Sequence, residues 1–241
     1  MHDDDRPAGR LLTRREALAL LGAGGVAALA AAPWRSASAA GPATCVARPA
    51  LTEGPYFVDE QLDRSDIRSD PGDGITRPGA PLTLTLRVSR LAAGACAPLP
   101  GAMVDLWHCD AAGVYSDVAD PGGSTVGKKF LRGYQLTDGD GLARFTTIYP
   151  GWYPGRAVHI HFKVRSAAPG GRTHDFTSQL FFDDALSDQV FAQPPYAARG
   201  PRRAVNARDG IFRQAGGRLT LAVTSAAPGY AASFDLALET T

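Results

Sequence analysis

Leu82, Leu84, Leu86 and Val88 alternate with Thr83, Thr85 and Arg87. Successive side chains of a strand point to opposite faces, so this stretch has one apolar and one polar face, the pattern of a half-buried β-strand. Similar short segments recur down the chain. Met103–Cys109 is apolar on both faces, and Gly133–Leu136, Ala143–Ile148, Val158–Val164, Gln179–Phe182, Leu219–Val223 and Phe234–Leu238 read as further strands. Turn chemistry separates them. Asp138-Gly139-Asp140-Gly141 is a tight turn whose glycines tolerate positive φ, and Pro-Gly loops fill 94–101, 111–129 and 149–155. Residues 44–79 are irregular, and Ala185–Phe191 is the only helical stretch, stopped by Pro194 and Pro195. The 27 glycines and 18 prolines suit many turns between short strands. The expected fold class is all-β: an antiparallel β-sandwich or barrel with long loops and little helix.

The first 39 residues stand apart. Thr13-Arg14-Arg15-Glu16-Ala17-Leu18 is a twin-arginine pattern, an uncharged run follows from Ala17 to Ala32, and Ala37-Ser38-Ala39 supplies small residues of the cleavage-site kind. Charged start, short apolar run and small-residue site make up an export signal. The expectation is a cleaved twin-arginine signal at 1–39, a single domain at 40–241 and a periplasmic or extracellular destination. An uncleaved anchor or a buried helix would use the same residues, although the run is short for a span of about 20 residues. Losing residues 1–39 removes five arginines and four acids from totals of 25 basic and 24 acidic residues, leaving a neutral chain. That balance, without a basic block, argues against nucleic acid and for a small-molecule substrate. Of the three cysteines, Cys45 and Cys96 lie in loop-like sequence and are the favoured disulfide pair, while Cys109 ends an apolar strand and reads as a buried thiol.

The residues with the most chemistry are Val158-His159-Ile160-His161-Phe162. Residues two apart on a strand share a face, so His159 and His161 project side by side, a ready metal chelate. Taken alone, the pattern is equally satisfied by two half-buried histidines on a sandwich face. Its context is Pro150-Gly151-Trp152-Tyr153-Pro154-Gly155-Arg156-Ala157-Val158 just before it. Upstream runs Trp107-His108-Cys109-Asp110-Ala111-Ala112-Gly113-Val114-Tyr115.

With these motifs, and from Thr52-Glu53-Gly54-Pro55 to Phe182, the sequence resembles the intradiol ring-cleavage dioxygenases, the family of protocatechuate 3,4-dioxygenase and catechol 1,2-dioxygenase. The resemblance implies that family's β-sandwich and an iron(III) ion held by Tyr115, Tyr153, His159 and His161, with Tyr115 and His159 equatorial and Tyr153 and His161 axial. It further implies that a catechol-type diol and dioxygen are the substrates, that Tyr153 gives way to the diol and acts as a base, and that the ring opens between its hydroxyls to a cis,cis-muconate. Arg156 matches the family's active-site arginine and Gln179 a pocket glutamine. Trp152 and Tyr56 are expected as pocket walls. Ferric iron, a hard Lewis acid, favours anionic oxygen donors such as tyrosinate, whereas two histidines with one carboxylate would signal ferrous iron. Two departures stand out. Only Pro154 and Gly155 separate Tyr153 from Arg156, which suggests an open pocket mouth, and too few residues precede Thr52 for an N-terminal helical domain. Oligomeric state and ring substituents stay open. Two other readings use the same scaffold: an exported β-sandwich binding module without iron, and copper or zinc on the histidine pair.

Overall fold

The computed structural model describes residues 46–239 except 93–94, 121–122, 169–171 and 203. The 1–39 segment, its cleavage point and Cys45 lie outside the described residues. Eleven strands are present among those described: β1 (Pro81–Ala92), β2 (Ala95–Pro98), β3 (Met103–Trp107), β4 (Ala119–Asp120), β5 (Gly123–Ser124), β6 (Arg132–Leu136), β7 (Leu142–Ile148), β8 (His159–Ala168), β9 (Arg172–Phe181), β10 (Ala222–Ala226) and β11 (Gly229–Glu239).

They form two main sheets. In the first, the order is β10-β11-β1-β2, with β7 also paired to β1. The second is β6-β3-β8-β9, antiparallel throughout. The alternation read in β1 has its cause here: Leu82, Leu84, Leu86 and Val88 are all fully buried, in one cluster with Val104, Leu106, Ile160, Phe162 and Val164 of the second sheet. Burying each such side chain stabilises the fold by about 1.5–3 kcal/mol. The two sheets therefore close on a shared core as a β-sandwich, as the sequence pattern predicts.

Several elements differ from the sequence reading. The β1–β11 ladder is parallel, from Leu82↔Tyr230 to Leu91↔Glu239, so the first sheet is mixed. Strands so distant in sequence need no hairpin, which leaves their direction free. β9 begins at Arg172, seven residues before Gln179. Its first half is polar, but its ladder with β8 extends from His159↔Phe181 to Ala168↔Arg172, and an edge strand needs only one apolar face. β10 lies three residues later than expected. The helix Asp184–Phe191 is accompanied by a second one, Gly210–Ala215, whose N-cap is Asp209. The Asp209 side chain accepts from the Ile211 and Phe212 N–H groups, which would otherwise lack partners at the helix start. Among the described residues no helix is long and apolar enough to cross a membrane. Cys96 is disulfide-bonded, and Cys109 is free, with burial pushing its thiol up to about 12, which keeps it unreactive.

Register positions the site. On β8, Ile160, Phe162 and Val164 face the core, so His159 and His161 take the opposite face of the second sheet. Across the ladders His161 stands opposite Trp107 of β3 and Gln179 of β9, and His159 opposite Phe181. Both histidines are nonetheless almost fully buried, at 2% and 1% exposure, because the loops carrying Tyr56, Tyr115 and Tyr153 lie over this face.

Candidate metal centre

His159 donates from Nδ1 to the Ala157 carbonyl at 2.7 Å. That bond leaves Nε2 as the ring's lone-pair nitrogen. It points at His161 Nε2, 3.0 Å away, and at Tyr153 Oη, 3.3 Å away. The His161 ring is fixed by a near-parallel stack on Trp107, with centroids 5.0 Å apart and planes 11° apart. Tyr115 completes the group: its ring lies 5.7 Å from that of Tyr153 and 6.2 Å from that of His161. Its hydroxyl is buried and has no hydrogen-bond partner. Buried polar atoms are almost always satisfied, so an orphaned phenol beside two converging imidazole nitrogens suits a bound cation.

Local sequence explains how the two tyrosine loops meet. Gly113 has φ +75° and abuts the Trp152 carbonyl so closely that no Cβ would fit. Glycine thus lets the Tyr115 loop lie against the Tyr153 loop. Arg132, 3% exposed, donates to the Ser116 carbonyl at 2.6 Å and the Tyr56 carbonyl at 2.6 Å, tying the backbone beside Tyr115 to the segment that covers it. Tyr56 stacks on Tyr115 at 4.4 Å and donates its hydroxyl to Asp120.

Electrostatics separates the two donor types. Burial, reinforced by the Arg156 charge, pulls His159 down to about 3, and burial with the neighbouring His159 pulls His161 well below its ordinary value. Both rings are neutral at pH 7, with lone pairs available. Burial raises Tyr115 well above its usual value and Tyr153 to about 12. The phenols stay protonated in the metal-free chain, and a trivalent cation would reverse that preference. Among the described residues no three His, Cys, Asp or Glu side chains gather to hold a metal, and the oxygen-bearing side chains grouped with the two imidazoles are Tyr115 and Tyr153. Two neutral imidazoles and two phenols fit a hard ferric ion better than zinc or copper.

Arg156 reaches the same atoms. Its Nη1 lies 3.4 Å from Tyr153 Oη and 3.5 Å from His159 Nε2. Gln179 accepts from Arg156 Nη2 at 2.5 Å and donates to the Thr52 carbonyl at 2.8 Å. Sequence reasoning did not find the other partner, Asp209, which accepts from Arg156 Nε at 2.9 Å. Burial alone would raise the Asp209 carboxyl, but the Ala157 N–H, the Arg156 charge and the Arg156 hydrogen bond together hold it below the usual carboxylate value.

A cleft of about 600 Å³ opens beside the centre, within the size range of small-molecule sites. Tyr56, Tyr115 and Tyr153 line it, with Ala112–Val114, Pro154, Asp120 and Arg199. Trp152 is a correction to the sequence reading. It does not line this cleft but is buried in the main core, with the Arg199 guanidinium over its ring. Gln179 and Arg156 lie behind the cleft lining, as neighbours of the donor atoms. Arg199 on the cleft wall was not foreseen. It sits just past a Pro-Pro stop, and no local pattern singles it out.

Farther from the donors, His108 is fully buried, hydrogen-bonded to the Cys109 carbonyl and to Thr147 Oγ1. Burial lowers it from 6.5 to about 4. Between those values the unfolded chain binds a proton that the folded chain does not, so stability is complete above pH 6.5 and is lost as pH falls toward 4. The expected loss is about 1.4 kcal/mol per pH unit from this ring alone. Urea unfolding of wild type and His108→Gln across pH 4–7 checks this: the slope should be shallower in the variant, and identical slopes would contradict it.

Comparison with known proteins places most of the chain, rather than the site alone, among dioxygenases. A dioxygenase family model matches residues 52–238. The protocatechuate 3,4-dioxygenase beta chain of Burkholderia cepacia is 34% identical over 113 residues, which is 42% of this chain and 47% of that one. The match thus spans about half the length of this curated relative. Among solved structures, an intradiol ring-cleavage dioxygenase from Tetranychus urticae is 31% identical, with a TM-score of 0.69 over 81% of this chain and 95% of its own. The dioxygenase domain of a dioxygenase carbohydrate-binding protein fusion from Streptomyces sp. SirexAA-E is 30% identical, with a TM-score of 0.57 over 81% and 100%.

Proposed function

The chain belongs to the intradiol ring-cleavage dioxygenases, and from that membership we propose that Tyr115, Tyr153, His159 and His161 hold iron(III) and that the protein opens a catechol-type ring between its hydroxyls. Dioxygen supplies both added atoms, and the product is a cis,cis-muconate. The observation that carries the reading is the convergence of Tyr153 Oη, His159 Nε2 and His161 Nε2 beside the orphaned Tyr115 hydroxyl.

Iron(III), when bound, would supply Lewis acidity toward the diol and the charge that keeps the two tyrosines ionised. The rest falls to the chain. Tyr153 is half-buried on the cleft wall, whereas Tyr115 is buried under Tyr56. Tyr153 is therefore the donor free to move, and its oxygen takes a proton from an incoming hydroxyl. Tyr115 and the histidines, locked by stacking and hydrogen bonds, stay. Arg156 Nη1 faces these atoms and stabilises negative charge that develops on the diol or on Tyr153. The open cleft admits a substituted ring as well as catechol itself. Export through the twin-arginine pathway completes the reading, since that route carries folded proteins and so suits a chain loaded with metal before export.

The test is turnover by the iron-loaded protein under isotopically labelled dioxygen. The expected product is a muconate carrying both labelled atoms, with one dioxygen consumed per ring. A quinone with hydrogen peroxide, or a semialdehyde from cleavage outside the hydroxyls, would overturn the proposal.

A further inference from the structure

We propose that Asp209 is a positioning residue for ring cleavage, holding the Arg156 guanidinium so that one of its nitrogens stays free to face the reacting atoms. The inference rests on the function proposed above.

A guanidinium offers five N–H groups in a rigid fork, and what it does depends on which of them are already engaged. In Arg156 two of the three nitrogens are tied. Nε donates to Asp209 Oδ2 at 2.9 Å, and Nη2 donates to Gln179 Oε1. Gln179 cannot reverse its amide without losing the Thr52 carbonyl, which its Nε2 already reaches. The remaining nitrogen, Nη1, is the one directed at Tyr153 Oη and His159 Nε2.

Asp209 is itself immobilised. Its Oδ2 also accepts the Ala157 N–H at 2.9 Å, and its Oδ1 accepts from Ile211 N at 2.8 Å and Phe212 N at 3.3 Å. Its side chain is 1% exposed, against 18% for Arg156. A carboxylate taken so far out of water needs its partners, unlike a surface ion pair. One carboxylate therefore joins the start of the helix Gly210–Ala215, the backbone leading into His159, and the arginine. Two supports at fixed angles, Asp209 on Nε and Gln179 on Nη2, leave Arg156 one orientation. With only the Gln179 support, a long side chain behind the lining of an open cleft would sample others.

The experiment compares the iron-loaded wild type with Asp209→Asn, Arg156→Gln and the double variant. Asparagine retains a helix cap but cannot accept from both sides as the carboxylate does. The expected result for Asp209→Asn is a fall in kcat of about tenfold, with KM within threefold, full iron content and an unchanged resting visible spectrum. In the Arg156→Gln background the same change should cost less than twofold, because the group it acts through is gone. A second tenfold loss in that background would overturn the proposal, as would unchanged kcat in the single variant, or loss of iron in parallel with activity. If Asp209→Asn does not fold, Asp209→Ser replaces it under the same criteria. Crystal structures of wild type and variant give a readout independent of turnover: Arg156 Nη1 should leave Tyr153 Oη in the variant. If the wild type does not cleave catechol, the functional reading falls separately. An Arg156 that then keeps its place without the carboxylate would overturn the role of Asp209.

Discussion

His161→Ala should abolish both iron retention and ring cleavage. His161 is 1% exposed, its Nε2 meets that of His159 at 3.0 Å, and its ring is stacked on Trp107. No nearby group replaces it, because no third His, Cys, Asp or Glu side chain gathers with this pair among the described residues. Changes to the partners of a metal ligand already cost about 10–100-fold in affinity, so removing the ligand itself should exceed that. With several kcal/mol of charge stabilisation lost, kcat should drop by about 1000-fold or more. The fold should survive, since His161 faces away from the Leu84–Phe162 core. Metal analysis after gel filtration, with circular dichroism alongside, separates the outcomes. A folded variant that keeps a full complement of iron would remove His161 from the donor set.

Arg156→Gln is the second large effect, and of a different kind. Iron content and the resting spectrum should be unchanged, because Arg156 lies beside the donor atoms rather than among them. Turnover should fall by about 100–1000-fold, the range seen when one preorganised donor to a developing negative charge is removed. Stability should also drop by about 1.5–3 kcal/mol, since Asp209 is left buried with a charge that has lost its partner. Steady-state kinetics together with urea unfolding distinguishes the two consequences. A variant as active as wild type would show that the nearness of Nη1 to Tyr153 has no catalytic meaning.

How much of this was legible in the sequence depends on range. The strict alternation in Leu82–Val88 and in His159–Val164 gave both the sandwich and the shared face of the two histidines, because period-two patterning is a local consequence of backbone geometry. Tyr115 and Tyr153 stood out only through resemblance. A tyrosine on a loop carries no periodic signal, and Tyr149, four residues before Tyr153, is a core residue bonded to Ser187. Asp209 was invisible for the same reason. It lies 53 residues past Arg156 and meets it only in the folded chain, where it also accepts the Ala157 N–H. Trp152 was misplaced because an aromatic next to a site tyrosine points to the site in sequence, while the chain turns it into the core. The parallel β1–β11 ladder and the polar half of β9 depend on pairing between segments, which no local window contains.

The donor set makes one claim that a single spectrum tests. Purified iron-loaded protein should be red-brown from tyrosinate-to-iron(III) charge transfer, and the band should move to longer wavelength when catechol is added without oxygen, as the diol takes the place of Tyr153. A protein that contains full iron yet is colourless, or whose band ignores catechol, would contradict a centre built from Tyr115, Tyr153, His159 and His161.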